Sequence, residues 1–211
     1  MVVRRTKQMR AEGMIHPTRD LIVATAATIM KEKGVGALHI DDILEQTDLS
    51  RGALYHHFKN VDEIIESALL FTYAESINAN IESVHNVLAS AKTADEFREG
   101  VFAANVAYAH NQQLREVRKL RAHAMATTAT AEALQEALAR EQQRLTNEYI
   151  NVISEAQKNG WVRASLDPLA LATFIQAYSF GFIVDDVSES HVNTDKWIAI
   201  IEEFYNACVF T

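Results

Sequence analysis

The stretch Asp48–Asn60, DLSRGALYHHFKN, sets a helix-starting serine directly before a short helix. Aspartate is one of the few non-glycine residues that tolerate a left-handed backbone, and Ser50 can accept a hydrogen bond from the first free N–H groups of the next helix. A break between two helices is therefore predicted at Asp48–Ser50. Just upstream, residues 39–47, HIDDILEQT, place Ile40, Ile43 and Leu44 at the three and four spacing that buries one stripe. Two short helices about a tight turn make a helix-turn-helix. In the second helix Leu54 and Phe58 lie four apart on one face, predicted to point inward against Ile43. Arg51, Tyr55, His56 and Lys59 are left for the other surfaces, a set rich in phosphate and base donors. Gly52 and Ala53 carry little side chain, so backbone N–H groups there can approach a phosphate, and the helix dipole favours the anion. The expectation is a recognition helix for DNA.

From Thr18 to Ile64 the chain resembles the DNA-binding head of the TetR family of one-component transcription regulators. The resemblance rests on the opening Thr18-Arg19, an alanine-rich first helix ended by Gly34, and the pair Asp42-Ile43. It rests further on the run Ser50, Gly52, Tyr55, His57 and Phe58, with Asn60 opening the next helix. Three positions depart from the family pattern: His39 where a threonine often caps the second helix, Asp48 where glycine is common, and Val61 where lysine is common. The resemblance implies an all-α protein with a three-helix head and a larger helical domain for effector binding and dimerisation. The boundaries predicted are a flexible basic arm over 1–15, the head over 16–62 and the body over 63–211. Residues expected at DNA are Thr18, Arg19, His39, Ser50, Arg51, Gly52, Ala53, Tyr55, His56 and Lys59. Within this set Tyr55 and His56 are assigned to backbone and base edges in the major groove, Arg51 to a phosphate or guanine, and Lys59 to phosphate.

Composition agrees. A chain of 211 residues, 48% hydrophobic with seven glycines and two prolines, can bury a substantial core and should be nearly all helix. Its net charge is −8, yet through residue 60 nine bases face seven acids, so the head carries +2 and the rest −10. An acidic body behind a weakly basic head repels DNA except at the intended face. The arm, MVVRRTKQMRAEG, has four bases and no apolar period. It reads as a solvated tail, with entry into a minor groove as the alternative. The absence of an unbroken apolar run of eighteen residues and of a charged-then-apolar leader gives the expectation of no membrane span and no signal peptide. With the single Cys208, the expected place is a reduced cytoplasm.

Further helices are signposted. Ile22, Ala26 and Ile29 form the inner stripe of the first. Asn60 and Glu63 make a capping box opening a fourth, with a stripe through Ile64, Ala68 and Phe71, predicted to be the lever out of the head. Thr93-x-x-Glu96 is a second box, Thr130 is predicted to begin a long helix ending at Gly160, Asp167-Pro168 is a strong start, and a final helix begins near Thr194. The last two helices are apolar on more than one side and must be covered from two directions. A homodimer interface is expected there, through Ala172, Ile175, Ser179, Ile183, Ile198, Ile201 and Tyr205. The family resemblance implies a four-helix bundle between subunits, with the heads about 34–36 Å apart on a palindromic operator.

The body between these elements is where an apolar effector pocket is expected. Phe97, Phe102, Tyr108, Met125, Tyr149, Trp161, Phe174 and Tyr178 can line one, though each also fits ordinary core packing. Arg115, Arg118 and Arg121 recur every three residues, with His123 beyond. They read either as a solvated face pairing with acids such as Glu116 or, with Arg121 and His123 in the pocket, as a seat for an anionic effector. An enzyme reading has one support, Glu82-x-x-His85, the carboxylate and imidazole spacing of di-iron bundles, which need the motif twice. A second copy is missing, as are a phosphate loop, a nucleophile elbow and a Cys-x-x-Cys pair, so no cofactor, metal or catalytic residue is assigned. The expected function is a repressor released from its operator by a small molecule. The alternatives are a regulator without such a ligand, or a helical enzyme or carrier with a vestigial head.

Overall fold

The computed structural model describes residues 16–127 and 132–211, which are helical apart from turns, loops and a single antiparallel bridge between Val162 and Phe210. The basic arm and the helix start expected at Thr130 lie outside the described residues.

Helix α1, Pro17–Lys33, opens with a proline whose fixed φ suits the first turn. It closes at Gly34, where φ is +87° and the N–H reaches the Met30 carbonyl at 3.0 Å. Its stripe of Ile22, Ala26 and Ile29 is fully buried. Helix α2, Ile40–Thr47, ends at Asp48 in the left-handed conformation, φ +55°. Helix α3, Arg51–His57, starts at Ser50, whose hydroxyl accepts the Ala53 N–H at 3.1 Å. Helix α4, Val61–Ser90, is capped by Asn60, whose side-chain oxygen accepts the Glu63 N–H at 2.9 Å. Glu63 returns the bond one residue earlier than the sequence suggested, to the Lys59 N–H at 2.8 Å. Phe71 is only half buried, because the inner face of α4 follows the rows of four through Ile64, Ala68 and Thr72 and through Leu69, Tyr73 and Ile77.

The later helices are α5, Ala94–His110, α6, Gln113–Thr127, and α7, Glu132–Lys158. They are followed by α8, Pro168–Gly181, α9, Ile183–Asp186, and α10, Thr194–Phe204, which runs into a wide turn at Tyr205–Val209. Two starts have the expected caps, Thr93 accepting the Glu96 N–H at 3.2 Å and Asp167 that of Ala170 at 2.7 Å, and the last helix is capped by Asn193, which accepts the Lys196 N–H at 3.0 Å. Each such cap is worth about 1 kcal/mol. A Cβ on Gly100 would stand 3.3 Å from a Val87 methyl, so glycine lets α5 close onto α4.

The chain forms two compact units. One holds the described residues up to Glu75 together with the segment from Leu120 to Leu138. The other holds Ser76–Lys119 and Ala139–Thr211. The division falls inside α4 and not at residue 62, since α4 continues unbroken past the head. The core of the second unit joins Phe97 with Val152, Ile153 and Ala156, with Leu171 and Ala172, and with Ile201, Tyr205, Val209 and Phe210. Phe210 is pinned there by its bridge to Val162 and by its carbonyl, which accepts from the Arg163 guanidinium at 2.9 Å.

The expected interface faces are corrected by this packing. Ala172, Ile198, Ile201 and Tyr205 are buried inside their own subunit, and Ile175, Ser179 and Ile183 are half buried. The inner side of α8 gives Leu171, Ala172 and Ile175 to the body cluster, which is wide enough to cover two adjacent stripes. What remains bare is Phe174 of α8, Val184 of α9, Val187 just after it and Ile200 of α10. Among the described residues, only Pro168–Asp186 is long and apolar enough by composition to cross a membrane, and just 11% of it is buried.

Candidate functional site

In the head, helix-turn-helix packing decides which side chains are free to read DNA. Leu54 and Phe58 are fully buried with Ile43, which anchors one face of α3. The opposite face then carries Arg51, Tyr55 and His56, with Lys59 just beyond, all exposed; Tyr55 is 48% accessible. Ser50 and Gly52 are also exposed and Ala53 is half buried. Gly52 has an ordinary helical φ, and a Cβ built there would meet only the Ser50 hydroxyl, at 3.8 Å. The head itself has room for a side chain at this position.

Arg51 is held by Asp41 at 2.5 Å, both exposed, and must exchange that carboxylate for any phosphate or base. Arg19 is turned inward, against the expected phosphate contact. Its guanidinium donates to the Ser67 hydroxyl at 3.1 Å and lies 4.8 Å from the Phe58 ring centre, a pairing that ties α1 to α4. Thr18 is half buried in the first turn of α1, and His39 is exposed at the start of α2 without a side-chain capping bond. Lys33 pairs with Asp42 at 2.9 Å. Burial, reinforced by the charges of His56, His16 and Arg19, holds His57 below the usual imidazole range, so it packs as a neutral ring beside His56.

In the second unit a cavity of about 120 Å³ opens among α4, α5, α7, α8 and the Tyr205–Val209 turn. Four residues expected at a pocket line it: Phe97, Tyr108, Tyr149 and Tyr178. Phe102, Trp161 and Phe174 instead pack in its surrounding aromatic shell, on Phe210 (5.8 Å), Phe97 (5.4 Å) and Phe204 (4.7 Å). Arg121, His123 and Met125 do not line it. His123 and Met125 are exposed, and the Arg121 guanidinium lies 5.1 Å from the Tyr73 ring in the first unit. Ile175, Ser179 and Tyr205, expected between subunits, are on the cavity wall. Asn80, Ser83 and Asn105 are wall residues that were not anticipated. A lone Asn in the apolar run VFAANVAY is the signal that marks Asn105.

The wall has an ordered polar core. The Tyr178 hydroxyl donates to the Asn105 oxygen at 2.7 Å and lies 3.2 Å from the Tyr205 hydroxyl. Burial raises the Tyr178 phenol above its ordinary range. Tyr205 is pushed higher still by burial and by Tyr178 beside it, so both remain neutral.

The arginine run is not the solvated face it resembled. Arg118 is 4% exposed and grips the Asp186 carboxylate at 2.5 and 2.7 Å, while Arg115 donates to the Asp186 carbonyl. Burial opposes the Arg118 charge, and hydrogen bonding to Asp186 and Tyr108 more than restores it. His85 pairs with Glu148 at 2.9 Å and not with Glu82. Among the described residues no three His, Cys, Asp or Glu side chains stand together as a metal site.

The described residues thus combine a helix-turn-helix with an exposed outer face and a larger helical unit with its own cavity. Residues 22–68 match the model of bacterial regulatory proteins, tetR family, so over the head the chain is similar to that family. Its relatives include the HTH-type transcriptional repressor KstR2 of Mycolicibacterium smegmatis, 35% identical over 51 residues, which cover 24% of this chain and 25% of that one. Another is the HTH-type transcriptional regulator TtgR of Pseudomonas putida, 35% identical over 68 residues, covering 32% and 30%. The match thus spans only about a quarter to a third of these relatives. The fold likeness extends further. GusR of Salmonella enterica aligns with a TM-score of 0.65 at 20% identity over 91% of this chain and 96% of its own. A TetR transcriptional regulator from Chloroflexus aurantiacus aligns with 0.66 at 20% over 92% and 96%.

Proposed function

We propose that the protein is a transcriptional repressor that binds a palindromic operator as a homodimer and is released by a small, uncharged effector. The observation that carries this reading is the division of α3 into a fully buried side, Leu54 with Phe58, and a free side bearing Arg51, Tyr55 and His56. Tyr55 and His56 are assigned to the major groove, Lys59 and the backbone around Gly52 to phosphate, and Arg51 to a phosphate or guanine after leaving Asp41. The bare apolar residues of α8 to α10 are assigned to the dimer, and the exposed aliphatic ones fit a partner subunit better than water. Operator binding implies work in the cytoplasm.

Release follows from linkage. An effector shifts the dimer away from its DNA-bound form only by binding the two forms unequally, and a molecule that binds both alike shifts nothing. The cavity in the body is the assigned effector seat. The test is selection of fragments of the source genome on the purified protein, with Tyr55→Ala as control. Recovery of a palindrome that the variant loses is expected. Equal enrichment by both proteins, or none by either, would overturn the assignment.

A further inference from the structure

The chemical class of the effector can be read from the protons on the cavity wall. This inference rests on the reading of the cavity as an effector seat. Among the described residues no Asp, Glu, Lys, Arg or His lines the space, so an ion entering it would lose its hydration without a counter-charge. The volume, about 120 Å³, is a little below the roughly 150 Å³ of an apolar cavity known to take up benzene. A single six-membered ring with a small substituent is the size that fits with slight relaxation.

Hydrogen-bond direction narrows the class. The Asn105 amide nitrogen sits 2.9 Å from the Val101 carbonyl, which only accepts, so the other end of that amide is oxygen. Tyr178 must therefore donate its one proton to Asn105. Tyr205, 3.2 Å away, must in turn donate to Tyr178. The Tyr108 hydroxyl gives its proton to the Ser179 carbonyl at 3.1 Å, and the Ser179 hydroxyl gives its own to the Ile175 carbonyl at 2.8 Å. These four hydroxyls thus have every proton committed within the protein. Tyr205 keeps two lone pairs and Tyr178 one. These hydroxyls can accept a hydrogen bond but offer none, while the Asn105 amide keeps a second N–H beside the one given to Val101.

We infer that the effector is a neutral, mostly apolar molecule of about one ring that donates a hydrogen bond, through a hydroxyl or N–H, to the Tyr205–Tyr178 pair. A carbonyl or ether of the same size gains no such bond from these hydroxyls, and a carboxylate meets no cation among the described residues of the wall.

The experiment is calorimetric titration of the full-length protein with phenol, anisole, toluene and benzoate. Phenol is expected to bind about five- to tenfold more tightly than anisole and toluene, the worth of one net hydrogen bond, and benzoate is expected not to bind. Tyr205→Phe, which removes the acceptor with two open lone pairs and leaves only Tyr178, should narrow the gap between phenol and toluene and leave toluene unchanged. Because Tyr205 is buried, its variant is first checked by thermal melting. If it fails to fold, Tyr178→Phe serves with a different expectation: it frees the Tyr205 proton and keeps both Tyr205 lone pairs, so anisole should gain affinity while phenol does not lose it. Anisole or benzoate binding wild type as tightly as phenol, a variant that weakens all ligands alike, or no binding by any of the four would overturn the inference. Operator affinity measured on the same samples separates the two readings. Phenol that binds without releasing DNA leaves the ligand class standing and removes effector-controlled repression, whereas intact operator binding with no ligand bound removes the ligand class alone.

Discussion

Gly52 separates folding from function at a single residue. Its φ is ordinary and the space around it is open, so nothing in the head demands glycine, and a helix would be better served by alanine. A backbone that must come close to a phosphate is the remaining reason for a missing side chain. Gly52→Ala should therefore raise head stability by about 0.5–1 kcal/mol while weakening operator binding at least tenfold, read by thermal melting and fluorescence anisotropy. A variant that binds as well as wild type would show that the start of α3 does not touch the backbone of DNA. Lys59 belongs to another category: its side chain is exposed, only its backbone N–H is engaged, by Glu63, and it can serve as a point charge. Lys59→Ala should weaken all DNA sequences alike and reduce the salt slope by about one. A loss confined to one operator sequence would overturn the phosphate assignment.

The short element α9 is held by electrostatics where apolar packing runs out. Asp186 ends it, and its carboxylate is gripped by the buried Arg118 of α6 while its carbonyl accepts from Arg115. Removing one member of a buried pair leaves the other charged and unmatched, a cost of about 3–5 kcal/mol. Asp186→Ala is expected to lose that much in denaturant unfolding. The double change Arg118→Met with Asp186→Leu should recover most of it, since no buried charge is left over. A single variant as stable as wild type would mean that Arg118 finds water instead. Sequence alone placed Arg118 on a solvated face because a spacing of three identifies neighbours on a helix but not the carboxylate that arrives 68 residues later. Local signals fared better: the caps at Ser50, Asn60, Thr93 and Asp167 and the stops at Gly34 and Asp48 were legible because each depends on residues within four of it. For the same reason the free face of α3 was readable, whereas the cavity wall, drawn from five stretches of chain, was not. Four of the ten residues expected at the pocket stand on its wall, and three residues expected between subunits stand there too.

For the whole molecule, the apolar surface left over is as informative as the core. Two stripes on α8 and two on α10 announce coverage from two directions, and periodicity cannot say which stripe meets the subunit's own body and which a neighbour. The body takes Ala172, Ile198, Ile201 and Tyr205, leaving Val184 at 68% and Ile200 at 64% exposure. Both side chains already face water, so replacing them with a charge should not disturb the subunit, whereas at a dimer interface it would bury a carboxylate among aliphatic groups. The double variant Val184→Asp with Ile200→Asp is therefore expected to melt as wild type does but to sediment as a 23.6 kDa monomer, where wild type sediments at about twice that mass. Operator affinity should fall at least about a hundredfold, because two heads on one palindrome gain by being linked and a lone head does not. Binding to a single half-site should change little, since the residues that read DNA are untouched. A double variant that stays dimeric would move the interface to another face, and a monomer that keeps full operator affinity would show that the heads act singly.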